Sequence, residues 1–258
     1  MSEISLVVTA NRVNFLTEAV LSIAAQTDCD FELICCVDTR LQTGVEKYCA
    51  GLLPNVRARS VHLQTISGNG TAGLIRNAGF RSASGRWIAY LDGDDLLHPR
   101  AIATIREMIH RFGDDTRVFS TGMFRIDSSG IAREIPESLT YYPPEWVFRR
   151  DPDEVGHHTY FNQFQVIRRD AWGEYPYDET TNGEDIDYML HHLLLGRYRK
   201  IQEYLYFFRD SPNSFSKQAF KDGDITTQRY KNGYYKALYR RYANQIIAGN
   251  FARSTDAL

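Results

Sequence analysis

Three carboxylates fall within four residues at Asp92-Gly93-Asp94-Asp95. Gathered in a cleft, such acids raise one another's pKa, a cost that a divalent cation removes. Hard oxygen ligands of this kind suit Mg²⁺ or Mn²⁺, which take one or two carboxylates and complete their shell with substrate phosphates. The bland reading is a solvated Asp-Gly turn whose acids favour the start of a following helix. Glu184-Asp185, with Asp187, forms a second acidic group. Thr181-Asn182-Gly183-Glu184 there spells a capping box, which is reason enough for the acids, yet one carboxylate in reach of a substrate hydroxyl would serve as general base. Gly68-Asn69-Gly70-Thr71-Ala72-Gly73 fits the dinucleotide pattern G-x-G-x-x-G, and Asp92 follows the last glycine by 19 residues. That fingerprint belongs to a first strand-turn-helix, whereas two strand signals precede it here. A better reading is a loop that leads Arg76 and Asn77 to a positive lid over phosphates, because the guanidinium fork matches phosphate oxygens. The His157-His158 and His191-His192 pairs are neighbours without metal-ligand spacing, and neither G-x-S-x-G nor H-E-x-x-H occurs.

Alternating strand and helix signals would carry these groups. Ile4 to Thr9 and Phe31 to Asp38 are apolar runs suited to parallel strands covered on both faces. Val61 to Ile66 is a weaker third strand, and Arg86 to Leu91 runs into the Asp92 cluster. Helical spacing joins Phe15, Leu16, Ala19, Val20, Ile23 and Ala24, with Asn14 available as a cap. Leu74 to Ala83 predicts a second helix. A third follows Pro99, with an apolar stripe at Ile102, Ile105, Met108, Ile109 and Phe112 and a stop at Gly113. This alternation implies an α/β fold with a mostly parallel sheet flanked by helices. Thr9, Asp38 and Asp92 all close strands, where ligands of such sheets bind. Farther on, Val118 to Phe124, Gln163 to Arg168 and Lys200 to Phe208 predict strands, Asn182 to Leu195 predicts a helix, and the aromatic, proline-containing Tyr141 to Tyr160 reads as a loop.

The whole chain has 258 residues, 43% hydrophobic and 24% charged, with a formal charge of −2. That composition supports one compact domain and gives no bulk electrostatic case for a nucleic-acid partner. No apolar run reaches the roughly 18 residues of a spanning helix. The start lacks a basic region before its apolar run, so no signal peptide is expected. Cys29, Cys35, Cys36 and Cys49 read as free thiols of a reducing cytoplasm. Arg229 to Arg241 holds five cations, four tyrosines and no acid. It reads as a solvated basic helix or, alternatively, as a peripheral contact with a membrane surface.

The motifs together resemble family 2 glycosyltransferases of the GT-A fold. The matching stretches are Val7-Val8-Thr9-Ala10-Asn11-Arg12, Ala19 to Thr27, Arg76-Asn77-Ala78-Gly79, Ala83 to Asp95, and Gly183-Glu184-Asp185-Ile186-Asp187. The resemblance spans residues 4 to about 216. It implies a nucleotide-sugar half over 1–115 and an acceptor half over 116–216; beyond it, 217–258 reads from its composition as a basic, Tyr-rich helical extension. The resemblance further implies that Thr9, Asn11, Asp38, Arg76 and Asp92 bind the donor, that Asp92 and Asp94 hold Mg²⁺ or Mn²⁺, and that Asp185 is the base. Arg209 matches a late segment near the phosphates. With Glu184, Trp146, His157 and Tyr160, it is expected on the acceptor side. Aromatic faces stack on sugars, which recommends the last three.

The reaction implied is inverting transfer from a UDP- or dTDP-sugar to a hydroxyl of a carbohydrate, a lipid-linked acceptor or a small metabolite. One departure concerns the nucleotide: the family's Asp-Asp-Gly-Ser is here Asp38-Thr39-Arg40-Leu41, which keeps only the first acid. Two other readings stay open on sequence alone. One is a dinucleotide-dependent oxidoreductase using the 68–73 loop. The other is a sugar-nucleotide-binding protein without catalysis.

Overall fold

The computed structural model describes residues 2–39, 42–66, 71–127, 131–139, 164–179, 184–210 and 244. Their centre is a curled sheet. Four strands run parallel: β1 (Ile4–Ala10), β2 (Phe31–Asp38), β3 (Ser60–Ile66) and β4 (Trp87–Asp92), in the spatial order β3-β2-β1-β4. Beyond β4 the sheet turns mixed. The short β8 (Val166–Arg168) lies antiparallel to both β4 and β6 (Val118–Ile126). The long β9 (Tyr198–Arg209) runs parallel to β6, β5 (Leu96–Leu97) caps β9, and β7 (Ala132–Glu134) pairs with β6. The expectation of a mostly parallel sheet therefore holds for the first half, while the second half mixes the parallel β6–β9 pair with antiparallel neighbours.

β1 and β2 are apolar throughout because both their faces are covered. Leu6, Val8 and Cys35 enter one core with α1 (Leu16–Ala24), α2 (Val45–Leu52) and α4 (Ala101–Phe112). Val7, Ile34 and Cys36 enter the other, with α3 (Ala72–Ser82) and α6 (Glu184–Leu194). The strand period of two thus sends the adjacent Cys35 and Cys36 to opposite faces. All four cysteines are free thiols, and the Cys35 and Cys49 sulfurs stand 2.7 Å apart between β2 and α2.

Several expectations shift. Asn14 does not cap α1. The cap position is Phe15, in a left-handed conformation at φ 67°, with no side-chain cap bond. Of the strand expected at Gln163–Arg168, Val166–Arg168 forms and passes directly into α5 (Arg169–Glu174), and Gln163 lies outside the described residues. α2 and β5 carried no strong signal: α2 buries only Val45 and Cys49, one turn apart, and β5 has two residues. The capping box at 181–183 and the extension over 217–258, Asn244 apart, lie outside the described residues.

Candidate active site

Parallel pairing brings the ends of three strands to one edge. Thr9 stands opposite Asp92 on one side and Cys36 on the other, and Asp38 ends β2 next in line. The Thr9 hydroxyl donates to Asp92 Oδ1 at 2.9 Å. Gly93 then turns the chain across the end of β1. A Cβ there would lie 2.6 Å from the Thr9 carbonyl oxygen, so the turn demands glycine. Asp38 is buried and Asn11 half-buried just past β1.

The three acids of this turn have different partners. Asp92 accepts from one arm of Arg76, whose Nη2 donates to Oδ2 at 2.9 Å and to Oδ1 at 3.2 Å. Asp95 is buried, accepting from the Tyr206 hydroxyl at 2.5 Å and the Arg209 main-chain N–H at 2.6 Å. Burial pushes its carboxyl well up, helped by the charges of Asp94 and Asp92. Asp94 takes part in no side-chain bond of this kind among the described residues. Burial and then the Asp92 charge push its carboxyl up to about 6, although its own backbone amide, Arg209 and Arg12 pull the other way. An acid so placed, beside a second carboxylate, suits a cation that also meets substrate oxygens. Among the described residues no three His, Cys, Asp or Glu side chains converge as a self-sufficient metal cage.

Arg76 is the centre of the arrangement. It projects from α3, is 5% exposed, and lies with its guanidinium 4.3 Å from the centre of the Tyr90 ring. Besides Asp92 it holds Glu184 at 2.5 Å, which ties the end of β4 to the start of α6. Burial alone would loosen its proton, but Asp92, Tyr90, Glu184 and Asp185 outweigh that and raise its pKa further. Asp185 is half-buried, and its charge bears on Arg76, Tyr90 and Tyr177. Arg76 is therefore an internal strut, not part of a lid. Asn77, expected beside it over the phosphates, is buried and bonded to Tyr177 and Trp172. The lid reading fails because α3 starts at Ala72 and turns both side chains inward.

Arg209, expected on the acceptor side, is a brace behind the acidic turn. It is 4% exposed, donates to the Asp94 carbonyl at 2.9 Å and to Glu18 at 2.5 Å, and lies 4.1 Å over the Phe15 ring. Its Nε and Nη2 are held by the protein because β9, paired with β5, lies against the turn. Glu184 likewise faces Arg76 and is buried, leaving Asp185 the more accessible of the two acids. Trp146, His157, Tyr160, Gly68 to Gly70 and Arg229 to Arg241 fall outside the described residues. His191 stacks on Tyr175 at 4.0 Å and His192 is buried, so this pair packs within the protein.

Tyr90, Tyr206, Phe15 and Glu18 were not foreseen. Tyr90 was within reach of a sequence argument: it precedes Asp92 by one strand period and so shares its face. The rest depend on contacts between distant segments.

The sequence pattern described as "Glycosyl transferase family 2" matches residues 5–175. The O-antigen biosynthesis protein RfbC of Myxococcus xanthus is 23% identical over 159 residues, 61% of this chain and 11% of that protein. Residues 1–349 of TarS from S. aureus, solved in complex with UDP, superpose with a TM-score of 0.65 at 14% identity, over 98% of this chain and 73% of that one. The same TarS segment with UDP-GlcNAc gives 0.67 at 13% identity, over 98% and 74%. These likenesses carry the GT-A fold, and with a pattern covering the strands that bear Thr9, Asp38 and Asp92 as well as Arg76, the chain belongs to glycosyl transferase family 2.

Proposed function

We propose that this chain is an inverting glycosyltransferase that moves a sugar from a nucleoside diphosphate, of the UDP or dTDP type, to an acceptor hydroxyl in polysaccharide assembly. The observation that carries this reading is the division of labour at the strand ends. Asp94 is left clear beside Asp92, and Asp185 follows Glu184, which Arg76 ties to Asp92. The solved TarS complexes with UDP and UDP-GlcNAc support the donor class, and RfbC supports the polysaccharide context.

Asp94, with Asp92 beside it, would hold Mg²⁺ or Mn²⁺. When bound, that ion supplies positive charge for the departing diphosphate. The chain's own groups do the rest. Thr9, Asn11 and Asp38 line the nucleoside side of the edge. Arg76 holds Asp92 and Glu184 in place, so neither reorganises as charge develops. Asp185 accepts the proton of the acceptor hydroxyl. The hydroxyl oxygen forms its bond to the anomeric carbon as the bond to the diphosphate breaks, and the nucleoside diphosphate leaves with the electron pair. One displacement inverts the anomeric centre.

Calorimetry with UDP, in Mn²⁺ and in EDTA, combined with UDP release from UDP-GlcNAc, tests the scheme. Asp94→Ala is expected to lose the Mn²⁺-dependent part of UDP binding. Asp185→Asn is expected to keep UDP binding and lose about 10²-fold or more in turnover, the scale of general-base loss. Near-normal turnover in Asp185→Asn, or unchanged binding in Asp94→Ala, refutes the respective role. We also propose that Arg229 to Arg241 contacts an anionic membrane surface from the cytoplasm. Failure to sediment with phosphatidylserine vesicles at low salt rejects that part alone.

A further inference from the structure

The glycine pattern over 68–73 ends at Gly73, and that glycine has a task unrelated to dinucleotides. A Cβ on it would lie 2.1 Å from the main-chain oxygen of Asp178 and 3.1 Å from Glu184 Cγ. The chain that leads into α6 therefore passes against the first turn of α3 with no room for a methyl group. The nearer contact is backbone, which cannot swing aside as the tip of a side chain can.

Bonds from the same helix hold that segment down. The Thr71 hydroxyl, which also caps α3 by accepting from Leu74 N–H, donates to the Glu179 carbonyl at 2.7 Å. Asn77 Nδ2 donates to the Tyr177 carbonyl at 2.8 Å and to the Glu179 carboxylate at 3.0 Å. Its Oδ1 accepts from Trp172 Nε1 at 2.8 Å and from Tyr177 N–H at 3.2 Å. Between these residues Arg76 reaches Glu184 with one nitrogen and Asp92 with the other. One helix therefore touches the donor-side acid and seats the chain that delivers Asp185.

We infer that Gly73 is a positioning residue. Its missing side chain lets the approach to α6 settle on α3, and that contact sets where Asp185 stands relative to Asp92 and Asp94. The inference rests on the reading of Asp185 as the base. Moving a backbone oxygen from 2.1 Å to ordinary contact at 3.4 Å or more displaces the segment by over an ångström. A displacement of about 1 Å in a reacting array costs about 10²-fold in rate.

The test uses the full chain with Gly73→Ala, and Gly51→Ala as control, since a Cβ at Gly51 in α2 meets nothing within 4 Å. Three readouts are taken: UDP affinity by calorimetry, turnover as UDP released from UDP-GlcNAc, and amide hydrogen exchange across Glu184–Leu194. Gly73→Ala is expected to bind UDP within about threefold of wild type while turnover falls about 10²-fold. Exchange in α6 should quicken, and Gly51→Ala should match wild type in all three. Turnover within threefold of wild type, parallel losses of affinity and turnover, or unchanged α6 exchange each overturn the inference. If Gly73→Ala does not fold, Thr71→Val removes the bond to Glu179, together with the cap on Leu74 N–H, without added bulk, and a turnover loss of about tenfold at retained UDP affinity is expected. A wild type that neither binds UDP nor releases it refutes the donor reading instead. The exchange measurement then still decides whether Gly73 seats α6.

Discussion

At the residue scale, Arg76 shows why identical charges acquire different tasks. Its guanidinium is buried between Asp92 and Glu184 and lies on the Tyr90 ring. Removing one partner of such a buried set leaves the others charged and unpaired, at a cost of about 3–5 kcal/mol. Arg76→Met is therefore expected to lower unfolding stability by roughly that amount, read as a fall in the urea midpoint at unchanged slope. Arg76→Lys should recover only part of it, since a compact ammonium cannot reach two separate carboxylates with two arms while lying flat on a ring. A fall of less than about 1 kcal/mol in Arg76→Met would show that the two acids are solvated in the native protein. The same logic separates Asp94 from Asp95. Both follow Gly93, but Asp95 is consumed by Tyr206 and the Arg209 amide while Asp94 is left for chemistry.

At the element scale, α6 has one end in the site and the other in the core. Its first turn carries Glu184, Asp185 and Asp187, and its last turn carries His191 and His192. His192 is 1% exposed, and neither ring nitrogen has a hydrogen-bond partner among the described residues. Burial, then the charges of His191, Arg117 and Arg197, lower its pKa from 6.5 to about 3, with Asp170 opposing. The folded state thus keeps the ring neutral while the unfolded chain binds a proton below pH 6.5. By linkage the unfolded state holds more protons between these values, so stability falls as pH drops from about 6.5 towards 3. Wild type should lose on the order of a few kcal/mol over that window. His192→Phe should flatten that limb of the stability–pH curve, as followed by denaturant melts at successive pH values. An equally steep limb in the variant would assign the acid sensitivity elsewhere.

β9 illustrates the same scale from the other side. The sequence predicts a strand over Lys200 to Phe208, and a strand of Tyr198–Arg209 forms. Its consequence for the site was not legible. The register against β6 shifts between Gly122 and Met123, and pairing with β5 then lays Tyr206 and Arg209 against the acidic turn. A bulge of this kind re-aims side chains, and no local pattern announces it.

At the scale of the whole molecule, the site joins β1, β2, β4, α3, α6 and β9, segments spread over most of the described chain. A ligand held among them binds the native state alone. UDP with Mn²⁺ at about 100 times its Kd is thus expected to add about 2.7 kcal/mol of stability, seen as a rise in melting temperature. Asp94→Ala should abolish that rise without lowering the melting temperature of the free protein. No helix among the described residues is long and apolar enough to cross a membrane.

What the sequence determined by itself is what short-range pattern encodes. Continuous apolar runs made β1 and β2 buried parallel strands, and the polar groups closing them had to meet at one edge, because parallel strands in register align their ends. Thr9, Asp38 and Asp92 follow from that rule, and the acidic cluster stood out by composition. Tertiary structure alone decided which acids stay available. Asp95 and Glu184 are neutralised or paired by Tyr206, Arg209 and Arg76, which lie 108 to 114 residues away in the chain. A carboxylate's pKa and reach depend on burial and on charges within a few ångströms, and those neighbours come from strand order and helix packing, which no window of local sequence contains.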